Sequence, residues 1–176
     1  MPKTVLITGG SSGIGKALGE YLVNLSNPSP KDGYQVFGTS RNPEKYKDSA
    51  FPLLKMDVNS TESIEAAISE ILKKVEKIDV VINNAGVGIT GPIEETPEAE
   101  IKKAFDTNFH GPINVIKAGL PQMSKQGFGH ILNITSIAGY MGLPYRGIYS
   151  ASKAALEIAI EAMRMETLQF GIKMPN

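Results

Sequence analysis

Along this chain, short runs of β-branched and aliphatic residues alternate with longer stretches in which an apolar residue returns every three or four positions. The short runs predict strands at residues 4–8, 35–39, 52–56, 79–82 and 130–135. Residues 13–25 carry Ile14, Leu18, Tyr21, Leu22 and Leu25 at helical spacing, and Ile64, Ile68, Ile71, Leu72 and Val75 repeat the pattern further on. Ser60 or Thr61 is placed to cap that second helix, and Thr96-Pro97 opens another, with proline at its first helical position. Gly111-Pro112 falls in the middle of this third helix and predicts a bend. The stretch "SNPSPKDG", residues 26–33, predicts a loop ending in an Asp-Gly turn. Residues 150–170 predict the last helix, and "FGIKMPN" reads as the opening of a further strand. Strands separated by helices of about 15 residues are the form of a parallel sheet covered on both faces. The expectation is one domain, residues 1–176, whose sheet stops before its last strands and leaves the fifth strand near an exposed edge.

Composition narrows the partners. Lys plus Arg and Asp plus Glu stand at 18 each, with no dense basic block, which argues against nucleic acid or an anionic membrane. The chain has no cysteine and 2 histidines, so thiolate chemistry and disulfides are excluded and a metal centre is disfavoured. The apolar run Val5-Leu6-Ile7 ends at Thr8-Gly9-Gly10, too short for a signal-peptide core, and no stretch predicts a membrane span. A cytoplasmic protein with small-molecule partners is the expectation.

The junction of the first strand and first helix reads "TGGSSGIG", residues 8–15. Glycines at 9, 13 and 15 permit a turn closed to other residues and let backbone amides approach a pyrophosphate at the helix N-terminus. Gly9, Ser11, Ser12, Gly13, Ile14 and Gly15 are therefore candidate dinucleotide contacts. A phosphate loop of the Gly-Lys-Ser/Thr kind is excluded, because Lys16 follows the last glycine with Ala17 behind it. At the end of the second strand an acid selects NAD and a base selects NADP. Asp32 precedes that strand, whereas Ser40 and Arg41 close it, which favours NADP over NAD.

"GIYSASKAAL", residues 147–156, sets Tyr149 and Lys153 four positions apart on one helix face. The spacing alone fits either ordinary neighbours or an acid beside the cation that tunes it. Taken with "TGGSSGIG", "NNAG" at 83–86, Asn108 in "FDTNFHG", Ser136 in "NITSIAG" and "YSASK", the chain resembles the short-chain dehydrogenases/reductases of the non-extended type along essentially its whole length. Ser12 stands where the extended members would have a glycine.

The resemblance implies an α/β, doubly wound, Rossmann-like parallel sheet and an NAD(P)-dependent carbonyl–alcohol interconversion. It gives Tyr149 the proton exchange with the substrate oxygen, Lys153 the nicotinamide ribose and the acidification of the phenol, Ser136 a bond to the substrate oxygen, and Asn108 a water leading from Lys153 to solvent. Asp57, with Val58, is similar to the family's adenine contact, and Asn84, Ala85 and Gly86 would lie along the adenosine. A free phenol titrates near ~10, so work near neutrality asks for about 4 kcal/mol. A unit charge at about 4 Å supplies ~1 kcal/mol in bulk water and about 4 at an effective dielectric of about 20, so the pair needs a partly dry pocket. Ala154, Ala155, Ala159 and Ala162 form a small-residue surface that is either a core face or the seam of a homodimer or homotetramer. The alternative to an enzyme is a dinucleotide-binding or dimerising module without turnover.

Overall fold

The computed structural model describes residues 2–26 and 33–175. Strands β1 (Lys3–Ile7), β2 (Tyr34–Ser40), β3 (Leu53–Lys55), β4 (Val80–Asn83), β5 (Gly129–Asn133) and β6 (Ile172–Lys173) form one sheet in the order β3-β2-β1-β4-β5-β6. Every pairing is parallel, so each connection must cross over the sheet. The order reverses between β1 and β4, which opens a crevice beyond the carboxyl ends of those two strands. The fifth strand is not an edge: Gly129 and His130 pair with Ile172 and Lys173. Residues 27–32 of the expected loop, Asp32 among them, lie outside the described residues.

Alternation along β1 divides the core. Leu6 faces α2 (Thr61–Lys74), α4 (Gly111–Gln126) and α5 (Gly147–Thr167), where it joins Ile64, Ile71, Val115, Ile116, Leu156 and Ile160. Val5 and Ile7 face the other way, toward α1 (Gly13–Leu25), with Val36, Phe51 and Ile82. Burying each such large aliphatic contributes roughly 1.5–3 kcal/mol. Ser60 is the cap of α2, its side chain accepting from Ser63 N.

Three local expectations change. Only Leu18 and Leu22 of the α1 stripe pack on the core; Ile14, Tyr21 and Leu25 are exposed. Glycine replaces them on the buried face, because a Cβ on Gly19 would stand 2.3 Å from the Phe51 ring. α3 (Glu98–Phe105) begins one residue later than expected, since Pro97 keeps an extended ψ of 142° and serves as its cap. The bend expected at Gly111-Pro112 is taken up by a π-helical turn, Asp106–His110, just before α4. Its wider i→i+5 bonding lets the chain reach a residue that lacks an N–H without a break.

Candidate active site

Polar ties between β1 and β4 build the floor of the crevice. Thr8 Oγ1 accepts from the backbone N of Asn84 and of Ala85, both at 3.0 Å. Asn84 Nδ2 donates back to Thr8 O at 3.0 Å and Gly9 O at 3.1 Å. Gly15 completes the joint, as a Cβ there would lie 2.4 Å from Asn84 Nδ2 and 2.5 Å from Gly9 O. The first turn of α1 therefore sits hard against the end of β4.

Above this floor lies a cleft of about 410 Å³. Gly9, Ser11, Ser12, Ser40, Arg41, Asp57, Val58, Asn84, Ala85 and Gly86, all expected at a cofactor, line it. Gly13, Ile14 and Gly15 do not: Gly15 is covered by Asn84, and Ile14 points to solvent; nor do Tyr149 and Lys153, which α5 carries beyond the Gly86 end of the cleft. The lining also includes Asn42, Tyr46, Asn59, Lys103 and Thr107, for which no sequence signal was available. Asp57 is held by its own loop, its N donating to Ser63 Oγ at 3.0 Å and its Oδ1 accepting from Asn59 N at 3.0 Å. Arg41 is exposed just beyond β2.

A nucleotide's phosphates fit the α1 end of this cleft. Ser12 is the α1 cap but makes no side-chain cap bond, and the first turn holds no acidic residue. Its leading amides thus have an unfilled demand for an acceptor, which an anion meets.

Gly86 leads from the cleft to the remaining candidates. A Cβ on Gly86 would come 3.2 Å from Asn108 Oδ1 and 3.7 Å from Lys153 Nζ. Asn108, in the π turn, is fully buried; its Oδ1 accepts from Val87 N and its Nδ2 donates to Val87 O and to Ser152 Oγ. Lys153 is 5% exposed and donates to Ile134 O at 2.8 Å. Burial pushes its ammonium below the usual lysine value, while the Glu157 carboxylate one turn along pulls it back up. Ser136 starts a 3-10 turn, Oγ accepting from Ala138 N at 3.2 Å, so the hydroxyl hydrogen is left to donate elsewhere. Tyr149 is half-buried in the first turn of α5, and among the described residues its hydroxyl has no hydrogen-bond partner.

A doubly wound parallel sheet with an anion-ready glycine turn at its switch point defines a dinucleotide-binding fold. The comparisons narrow it. The model of the short-chain dehydrogenase family matches residues 3–176, and the chain belongs to that family. It is 42% identical to a 3-ketodihydrosphingosine reductase of Bacteroides thetaiotaomicron over 98% of its own length and 61% of that protein's. A short-chain dehydrogenase of Streptomyces avermitilis superposes with a TM-score of 0.89 at 35% identity, covering 99% of this chain and 64% of that one. A gluconate 5-dehydrogenase of Burkholderia cenocepacia, solved with NADP and tartrate, gives 0.86 at 27% identity over 97% of this chain and 68% of its own. The chain thus spans about three fifths of the length of that curated relative.

Proposed function

We propose that this chain carries the NADP site and the reacting side chains of an oxidoreductase that interconverts a carbonyl and a secondary alcohol. The supporting observation is continuity: one cleft runs from Arg41, past the glycine turn, to Gly86, which lies beside the Lys153 amine. In this reading Gly9, Ser11 and Ser12 take the pyrophosphate where the cleft meets the N-terminus of α1, and Asp57 and Val58 flank the adenine. Arg41 and Ser40 take the ribose phosphate that distinguishes NADP, and no carboxylate lies among Thr39, Ser40, Arg41 and Asn42 to repel it. The NADP carried by the gluconate 5-dehydrogenase supports that choice over NAD.

NADP bound there supplies or accepts the hydride. Tyr149 passes the proton to or from the substrate oxygen, and Ser136 donates its free hydroxyl hydrogen to that oxygen. Lys153 holds the ribose hydroxyls and keeps positive charge beside the phenol, with Asn108 fixing the Val87 backbone beneath it. A small-molecule carbonyl or alcohol substrate accords with the relatives' names, a 3-ketodihydrosphingosine reductase and a gluconate 5-dehydrogenase. Association as a homodimer or homotetramer through α5 belongs to the same proposal, because Ile158, Ala162 and Met165 stand exposed along one side of that helix. So does a cytoplasmic location; among the described residues no helix is long and apolar enough to cross a membrane.

Fluorescence titration with NADPH and NADH, followed by carbonyl-dependent oxidation of the tighter ligand, tests the reading. Tighter NADPH binding with turnover of at least one ketone or aldehyde is expected. Binding without turnover across a broad carbonyl panel would leave a dinucleotide-binding module instead.

A further inference from the structure

The entrance to α5 carries a set of contacts that the proposed chemistry does not use. Arg146 lays its guanidinium over the Tyr149 ring, with Cζ 5.2 Å from the ring centroid. Its Nη1 donates to Thr90 Oγ1 at 3.2 Å, in the loop that follows β4. A backbone bond fastens the same two segments again, Gly91 N donating to Tyr145 O at 2.9 Å. Tyr145 holds φ at +62°, a left-handed conformation that a bulky side chain adopts only against steric resistance. A Cβ on Gly88 would lie 3.6 Å from Nη1, in ordinary contact, so the loop after β4 passes close beside the guanidinium.

These contacts answer a geometric need. Helix packing fixes the Cα and Cβ of Tyr149 but not the plane of its ring, and the hydroxyl has no partner among the described residues to hold it. A proton donor must be kept within a fraction of an ångström of its working position. A planar cation over the ring face restricts the ring, and a hydroxyl tether restricts the cation. Among the described residues no carboxylate pairs with Arg146, so the guanidinium has no competing partner to draw it off the ring.

We propose that Arg146, anchored by Thr90 and aimed by the strained Tyr145, is a positioning residue that sets the ring of Tyr149 for proton exchange. The inference rests on Tyr149 being the proton-exchanging group. Its test uses Arg146→Gln, Arg146→Lys, Thr90→Val and the double variant R146Q/T90V, with kcat, KM and NADPH affinity measured for each. R146Q is expected to lower kcat about tenfold, with NADPH affinity and KM held within about twofold. R146K, which keeps the charge without the planar fork, should rescue only part of that loss. T90V should lower kcat by about threefold, and the double variant should be no slower than R146Q, because the tether acts only through the arginine. An unchanged kcat, a loss confined to KM, or additive losses would overturn the proposal. Should the wild-type protein turn over no carbonyl at all, it is the functional reading that fails. The ring placement is then read by NMR on tyrosine labelled with carbon-13, the Tyr149 signal being assigned by its absence in Y149F. That signal is expected to move in both R146Q and T90V, and a signal unmoved in both overturns the placement.

Discussion

Asn108, with none of its surface exposed, grips both backbone groups of Val87: its Oδ1 accepts from Val87 N at 2.8 Å and its Nδ2 donates to Val87 O at 2.9 Å. A third bond runs from Nδ2 to Ser152 Oγ at 3.1 Å, joining the π turn, the loop after β4 and α5 in one network. Asn108→Ala would strand these partners in the interior. The expected cost is about 2–3 kcal/mol, read from urea denaturation. A loss below ~0.5 kcal/mol would mean that water replaces the side chain and that the network is not structural.

Lys153 makes a prediction whose sign follows from its burial. Its folded-state pKa lies below the ordinary 10.5, so the unfolded chain binds more protons between the lowered value and 10.5. Stability of the wild type therefore rises with pH across that window, and the desolvation cost is fully present below it. Lys153→Met removes this dependence. Relative to wild type, K153M should be at its most stable near neutrality and lose ground as pH climbs toward 10, measured as urea midpoints at two pH values. A gap that stays constant, or widens in favour of K153M, would contradict the assigned burial effect.

Two glycines of the same turn should respond differently to alanine. At Gly15 the new Cβ meets the Asn84 side chain and the Gly9 carbonyl, so G15A should cost about 1–3 kcal/mol and pry α1 from β4. At Gly13 nothing lies within 4 Å, and only the φ of +54° resists, so G13A should cost about 1–2 kcal/mol. The discriminating readout is the amide exchange of Asn84 and Ala85, faster in G15A and unchanged in G13A. Equal effects on those amides in both variants would refute the packed joint.

Arg41→Asp puts a carboxylate where the proposed function sets the extra phosphate of NADP. NADPH affinity should fall by at least about tenfold while that for NADH changes little, as titration of both ligands would show. An unchanged preference would remove Arg41 from the cofactor site.

What the sequence made legible, and what it did not, divides along physical lines. Val5-Leu6-Ile7 runs into a glycine turn that begins a periodic helix, and such local signals located β1, α1 and the turn between them. The Tyr149–Lys153 spacing is likewise local, because a helix fixes which residues share a face. The misplaced stripe of α1 shows the limit: Ile14 and Tyr21 have the right period, but the packed face is decided by Gly19 receiving Phe51 from a distant segment. The π turn at Asp106–His110 escaped because a single shift from i→i+4 to i→i+5 bonding leaves the apolar pattern almost unaltered. Arg146 escaped for a similar reason. Its place over Tyr149 depends on a positive φ at Tyr145, a conformation that propensity assigns to glycine or asparagine rather than tyrosine.

The central claim is that Tyr149 exchanges the proton beside a nucleotide bound in the cleft. Its most direct test is carbonyl-dependent NADPH oxidation by wild type and Y149F, with NADPH binding titrated for both. The account predicts that Y149F keeps its NADPH affinity within about twofold and loses at least about a hundredfold in kcat, as removal of a general acid–base group requires. Turnover by Y149F at the wild-type rate, with the nucleotide bound equally well, would contradict it.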